Sequence, residues 1–324
     1  MIDVVMLVGG LVLLYFGAEW LVSGAARLAE SFGVAPLIVG LTVVAYGTSA
    51  PELVVGVGAA LRGQGDIALG NVVGSNVANI GLILAVAALI VPPRIDPSLA
   101  RREVWVLLGS TALVPLALLG GGIQWWDGAG LVTLAVVYTL VMVRAARTAP
   151  GTAAEDLAVV AAAADAAVPG AMPRGRLALA GLAVVGLALL VVGGHFLVEG
   201  AVGLARTFGM SERLIGLTII AIGTSLPELA TSIIAAVRGH SDIAVGNVVG
   251  SNICNVLLIL GASALAGGLD ADLSAVALDL SVLAAMTVAA AIVIRTRQRV
   301  SRPEAAVLLL GYVAFLAALA VTAG

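Results

Sequence analysis

The sequence predicts an all-α polytopic membrane protein, with ten transmembrane helices in two inverted-topology five-helix repeats. Three observations lead there. First, the 324-residue chain is 61% hydrophobic and only 11% charged, with a mean hydropathy of +1.15. A soluble surface needs more charge than that. Second, apolar runs of about 20 residues, enough to cross a bilayer as a helix, recur along the chain. They lack the short-period alternation of a membrane β-barrel. Third, one phrase occurs twice. Residues 40–52 read Gly-Leu-Thr-Val-Val-Ala-Tyr-Gly-Thr-Ser-Ala-Pro-Glu, and residues 216–228 read Gly-Leu-Thr-Ile-Ile-Ala-Ile-Gly-Thr-Ser-Leu-Pro-Glu. A second phrase follows each copy in the same register, at 66–79 and 242–255, with Gly-Asn-Val-Val-Gly-Ser-Asn in both. A register held without a gap marks an internal duplication.

The ten segments run approximately 3–27, 35–61, 67–91, 103–120, 128–146, 177–205, 212–237, 243–267, 274–294 and 303–323. Turn and charge signals separate them: Pro92, Pro93 and Arg94 with Arg101 and Arg102; Gly120 to Gly122; Asp270 and Asp272; and the stretch from Arg295 to Arg302. Trp105, Trp125 and Trp126 fall near segment ends, where indoles suit the headgroup layer. The first segment has no basic stretch before it and no clear small-residue cleavage site after it, so it reads as a retained helix. The longest polar break, about 148–175, reads as a plain linker with room for a short surface helix at 155–168. The organisation is therefore a first repeat (1–147), a cytoplasmic linker (148–175) and a second repeat (176–324).

Arginine sets the orientation. All 16 basic residues are Arg, and an outside N-terminus leaves 13 of them at cytoplasmic connections against 3 outside, namely Arg62, Arg206 and Arg213. That is a strong positive-inside bias, and it predicts both termini outside. Five helices per half is an odd number, so the second half enters the membrane upside down. Equal phrases then approach the bilayer centre from opposite sides, as in alternating-access carriers.

The composition also excludes functions. The net charge of -3 and the lack of a basic stripe give no footing for nucleic acid. Cys254, the single cysteine, rules out an internal disulfide and a thiolate metal cluster, and reads as a small packing residue. No nucleophile–base set or cofactor motif accompanies the carboxylates, so neither an enzyme nor a cofactor is expected.

The chemistry lies in the duplicated phrases. A carboxylate at mid-membrane costs at least about 2.5–3.5 kcal/mol, so Glu52 needs something to offset it. Pro51 has no amide hydrogen, and Gly47 tolerates unusual backbone angles, so the helix is expected to break at 47–51 and to free carbonyls such as that of Ala45. Irregular backbone at this depth belongs where it lines a cavity or binds a ligand. Thr48 and Ser49 add hydroxyl oxygens on the same turn as Glu52. Ala221, Gly223, Thr224, Ser225, Pro227 and Glu228 repeat the set. The second phrase supplies a facing wall: Ser75 and Asn79 share a helical face, as do Ser251 and Asn255. The pairs Gly70/Gly74 and Gly246/Gly250 are expected to let these helices pack closely on the broken ones. Asn71, Asn76, Asn247 and Asn252 read as interhelical hydrogen bonders. Asp66 and Asp242 read as helix-start caps, with Arg62 and Arg238 either pairing with them or anchoring the helix ends. Glu19 and Glu199 read as interfacial, and His195 and His240 as ordinary surface or interior histidines.

Two carboxylates with hydroxyl, amide and carbonyl oxygens, and no thiolate or imidazole, form a hard-oxygen site. Such a site suits Ca²⁺ or Na⁺ rather than zinc or copper, and Mg²⁺ fits less well because it keeps its water. The same carboxylates could carry protons.

At these residues the sequence resembles the cation/calcium exchanger superfamily, and is most similar to its prokaryotic sodium/calcium exchanger branch. The resemblance covers the whole chain and rests on the paired phrases Gly-Thr-Ser-x-Pro-Glu and Gly-Asn-Val-Val-Gly-Ser-Asn. It implies a sodium/calcium exchanger-like fold in which the first and sixth helices slide across the other eight. It implies that Glu52 and Glu228 are the central Ca²⁺ ligands. It also implies Na⁺ or Ca²⁺ contacts from Ala45, Thr48, Ser49, Ser75 and Asn79, and from Ala221, Thr224, Ser225, Ser251 and Asn255. The activity implied is secondary antiport of Na⁺ against Ca²⁺, exporting Ca²⁺ across a prokaryotic inner membrane, with membrane lipid as the surroundings and one chain expected to suffice. Some relatives, including those that co-transport K⁺, carry Asp at one of the positions of Asn79 and Asn255; both are Asn here, which argues against K⁺ dependence. The short linker leaves no room for a calcium-sensing domain. Two rivals remain open: a Ca²⁺/H⁺ antiporter on the same scaffold, which the Thr-Ser hydroxyl pairs disfavour, and a cation channel, which an in-chain inverted repeat disfavours.

Overall fold

A computed structural model describes residues 2–97, 99–148, 175–209, 221–270, 273, 276–297 and 299–322. Among the described residues the regular elements are all helices, and two isolated bridges, Arg94 with Arg299 and Ile123 with Leu269, join loops. The helices are α1 (Ile2–Phe32), α2 (Leu37–Thr48), α3 (Ala50–Leu61), α4 (Gly65–Ile90), α5 (Val104–Leu118), α6 (Trp125–Thr148), α7 (Arg176–Thr207), α8 (Leu226–Val237), α9 (Ser241–Gly267), α10 (Ala277–Arg297) and α11 (Arg302–Thr322). Seven of them are long and apolar enough to cross a membrane, or eight if the bent pair α2–α3 is one span. The expected linker at 148–175, its short surface helix and the start of the segment expected at 212–237 lie outside the described residues.

The breaks fall where the phrases put them. α2 and α3 meet at a 48° bend, with Ser49 at φ −82, ψ 9 and Pro51 in the first turn of α3. Pro has no amide hydrogen to lose at a helix start, so it ends one helix and opens the next. Ser225 has nearly the same backbone, φ −89 and ψ 7, with Pro227 in the first turn of α8. α4 and α9 both widen into a π turn that begins at a candidate ligand, over Asn79–Leu84 and Asn255–Leu260. Single wide turns of this kind recur at functional sites.

α9 is the buried centre: 94% of its apolar window is covered, against 22% for α11. Around that centre, α1 and α7 form a separate pair. Gly10 meets the backbone of Gly193 and Leu197, Gly17 that of Gly186 and Leu190, and Gly24 that of Leu179 and Ala183, so the two helices run antiparallel. A Cβ on Gly17 would stand 2.7 Å from the Leu190 nitrogen, so only glycine permits this approach. Lipid tails are as apolar as a protein core, so close packing of small residues takes the place of the hydrophobic effect in holding such helices together. The large apolar side chains left outside, among them Val8 and Leu11 of α1, Val137 and Val141 of α6, and Val307 and Leu310 of α11, form the kind of surface a bilayer covers.

The halves touch reciprocally. Thr111 and Thr287, exchanged by the repeat, lie 3.5 Å apart oxygen to oxygen. Two further contacts described below come as exchanged pairs, which is the mark of a self-complementary two-fold interface.

Candidate functional site

The two breaks meet. Ser49 Oγ donates to Glu228 Oε1 at 2.9 Å, and Ser225 Oγ donates to Glu52 Oε1 at 3.2 Å. Each serine sits three residues before the glutamate of its own break and bonds the glutamate of the other. Both glutamates and both serines are 1% exposed.

Asparagines fasten this centre to its walls. Asn71 Nδ2 donates to the Glu52 carbonyl at 3.1 Å, and Asn247 Nδ2 to the Glu228 carbonyl at 3.3 Å. Thr48 Oγ1 donates to Asn247 Oδ1 at 3.2 Å. Between α4 and α9, Asn79 Nδ2 donates to Asn252 Oδ1 at 2.9 Å and Asn255 Nδ2 to Asn76 Oδ1 at 3.0 Å. The amide NH₂ groups of Asn79 and Asn255 are thus committed, which fixes where their oxygens lie. The structural role expected of Asn71, Asn76, Asn247 and Asn252 is what the geometry gives them.

Among the buried oxygens left without hydrogen-bond partners are Glu52 Oε2, Glu228 Oε2, Asn79 Oδ1, Asn255 Oδ1 and Ser251 Oγ. A buried polar atom left unmade costs about 1–3 kcal/mol, and more when it is charged. Among the described residues no group of three or more His, Cys, Asp or Glu could hold a metal ion. The donor set is therefore two carboxylates with neutral oxygens, which matches a hard cation and not a transition metal. The Ser75 and Thr224 side chains line a cavity of about 340 Å³, and Thr224 is close enough to Glu52 to act on its carboxylate.

Several expectations need correction. The Ala45 carbonyl is not free: it accepts from the Ser49 amide at 3.1 Å and from Thr48 Oγ1 at 3.3 Å. The chain closes one more turn across the break before Pro51 takes effect. The second break differs, for the Ser225 amide bonds the carbonyl of Ile222 at 3.1 Å and not that of Ala221. Gly246 and Gly250 do pack tightly on α2, where an added Cβ would meet the Leu37 and Leu41 carbonyls at 3.0 and 2.6 Å; Gly70 and Gly74 have nothing within 4 Å. Arg238 does not stay at its helix end. It bonds Glu19 Oε2 through both Nε and Nη2 at 2.9 Å, so Glu19 is a buried partner of a cation. Asp66 and Asp242 lie in first turns, but the capping positions are Gln64 and His240, and neither makes a side-chain cap bond. The favourable helix dipole is the part of that reading that stands for Asp66.

Sequence reasoning passed over Asp279 and Tyr312, which share the cavity wall with Asn71, Ser75 and Thr224. The duplication could have found Asp279, because its counterpart in the first half is Glu103, also a carboxylate.

One antiparallel helix pair, apolar helices long enough to cross a bilayer, duplicated breaks and a buried oxygen cluster define the class as a helical membrane protein with a polar centre. The comparisons give the family. The sodium/calcium exchanger protein family matches residues 2–144 and 178–321, and the chain belongs to that family. It is 32% identical over 348 aligned residues to the sodium/calcium exchanger MaX1 of Methanosarcina acetivorans, covering 98% of each chain. It is 41% identical over 281 residues to the inner membrane protein YrbG of Escherichia coli, covering 86% of this chain and 84% of that one. Its fold matches the solved structure of the sodium-calcium exchanger NCX_Mj with a TM-score of 0.82 and 29% identity, over 98% of this chain and 99% of the other. The protein is a multi-pass membrane protein of an exchanger family, whose relatives are transporters.

Proposed function

We propose that the protein is a secondary antiporter that exports Ca²⁺ in exchange for Na⁺ by alternating access. The observation that carries this reading is the set of orphaned oxygens: Glu52 Oε2 and Glu228 Oε2 at the two breaks, and Asn79 Oδ1, Ser251 Oγ and Asn255 Oδ1 on α4 and α9, the helices packed against them. Ca²⁺ takes six to eight oxygen ligands at flexible geometry, and two carboxylates balance its charge. Thr48, Ser49, Ser75, Thr224, Ser225 and the carbonyl of Ala221 complete the proposed ion-contacting set, and the Ala45 carbonyl joins it only by giving up one of its two hydrogen bonds. Glu52 and Glu228 bind Ca²⁺ or Na⁺ but not both, and that competition couples the two fluxes. No cofactor takes part.

The carrier consists of a first repeat (1–147), a cytoplasmic linker (148–175) and a second repeat (176–324), ten helices in two inverted halves. The antiparallel run of α1 and α7 supports the inversion, since these helices occupy the same place in the two copies. The arginine bias supports both termini outside, in a prokaryotic inner membrane. One chain holds both halves of the site and works as a monomer.

The test is ⁴⁵Ca²⁺ uptake into proteoliposomes loaded with Na⁺, set beside proteoliposomes carrying only a pH gradient. Uptake that needs internal Na⁺, and that Glu52→Gln or Glu228→Gln abolishes, is the expected result. Uptake driven by the pH gradient alone would replace Na⁺ with H⁺ and make the glutamates proton carriers. Flux without any counter-ion would make the protein a channel.

A further inference from the structure

The cavity of about 340 Å³ is lined by Asn71, Ser75 and Thr224 together with a carboxylate outside the duplicated phrases, Asp279 in the first turn of α10. Its Oδ1 is buried and accepts no hydrogen bond. No cation among the described residues pairs with it. Ser75 belongs to the candidate ion set, and Asn71 holds the backbone of Glu52, so the cavity reaches the site itself. The counterpart in the first half behaves differently. Glu103 is 4% exposed, accepts from the Tyr138 hydroxyl at 2.9 Å and lies 3.3 Å from Arg102. One copy of this position is neutralised and sealed; the other lines the cavity with an oxygen that accepts no hydrogen bond.

We propose that Asp279 is an ion-capture residue: a cation entering the cavity is held by its carboxylate before passing to Ser75 and the glutamate pair. The inference rests on the cation-exchange reading above. A lone negative group in a low-dielectric cleft raises the local cation concentration and the rate of capture. A carboxylate in a membrane span is retained at a cost, and here neither the two-glutamate site nor an ion pair accounts for it. The orientation read from arginine puts the start of α10, and hence this cavity, on the outer face.

The experiment compares wild type, Asp279→Asn and Asp279→Glu in right-side-out and inside-out membrane vesicles, reading the Ca²⁺ concentration that half-saturates exchange on each face. Asp279→Asn is expected to raise it about threefold to tenfold when Ca²⁺ is presented on the cavity face, and to leave the opposite face unchanged. The maximal rate should hold, Asp279→Glu should retain most of the wild-type value, and added N-methylglucamine chloride should shrink the difference by screening. Equal loss on both faces, or a fall in maximal rate with half-saturation unmoved, would make Asp279 a packing residue and overturn the proposal. Wild-type exchange with Asp279→Asn indistinguishable from it would overturn this inference alone. A wild type that exchanges no Ca²⁺ would overturn the proposed function first, and this inference with it.

Discussion

The two walls of the site have nearly the same sequence and are built differently. On one side Gly246 and Gly250 of α9 lie against the backbone of α2, at distances a methyl group could not share. On the other, Gly70 and Gly74 of α4, the same residues in the other copy, meet nothing within 4 Å, and a cavity takes up the space. The asymmetry continues outward. Arg238 grips Glu19 across helices, whereas its counterpart Arg62, among the described residues, hydrogen-bonds its neighbour Gln64. Glu103 is sealed, and Asp279 is open. Under the alternating-access reading proposed above, one conformation would place the two copies in unlike surroundings, because a carrier open to one side is closed to the other.

The largest effect should come where the comparison breaks down, at the centre the halves share. Glu52→Gln and Glu228→Gln should each lower Ca²⁺ exchange by about 100-fold or more, since either change leaves one carboxylate for a divalent ion. Unequal losses in the flux assay would show that the symmetry of the hydrogen bonds does not extend to the chemistry. Next comes the ion pair. Arg238→Gln strands the buried Glu19 carboxylate and should cost about 2 kcal/mol of stability, discounted from the full buried-pair value because Arg238 is partly exposed. Arg62→Gln should cost nothing measurable. Thermal unfolding in detergent separates the two, and equal melting temperatures would refute the contrast.

The glycine walls give a similar pair. Gly250→Ala should destabilise by about 1–3 kcal/mol through overpacking against Leu41, while Gly74→Ala should stay within about 0.5 kcal/mol. The same melting assay reads both. The smallest effect concerns His240, buried where α8 turns into α9. Burial and the Arg238 charge lower its pKa to about 4, against an ordinary value of about 6.5. The fold therefore favours the neutral ring. That stability is complete above about pH 6.5 and declines as the pH falls toward 4. His240→Asn should flatten this part of the dependence of melting temperature on pH, and an unchanged slope would show that His240 is not its source.

Much of this was legible in the residues. Proline after Gly-Thr-Ser dictates a break wherever it occurs, so both kinks could be placed within a turn of Ser49 and Ser225. Repetition of Asn at fixed offsets forecast the interhelical bonding of Asn71, Asn76, Asn247 and Asn252. The pairing of Arg238 with Glu19 was not legible, because the residues are 219 positions apart in sequence and nothing local to either names the other. Asp279 lies outside the duplicated phrases: the repeat register pairs it with Glu103, but only the shared cavity connects it to Ser75.

The sequence by itself determined the helices, their breaks, the chemistry of the oxygen donors and the equivalence of the halves. Those follow from properties each residue carries with it: a missing amide hydrogen, a missing Cβ, a charge too costly to leave in lipid without a use. Only the tertiary structure decided which glycine pair is packed and which is open, which serine bonds which glutamate, and which oxygens are left over. The two halves obey the same local rules, so the choice between them rests on how distant helices share a limited interior, and no stretch of chain specifies that alone.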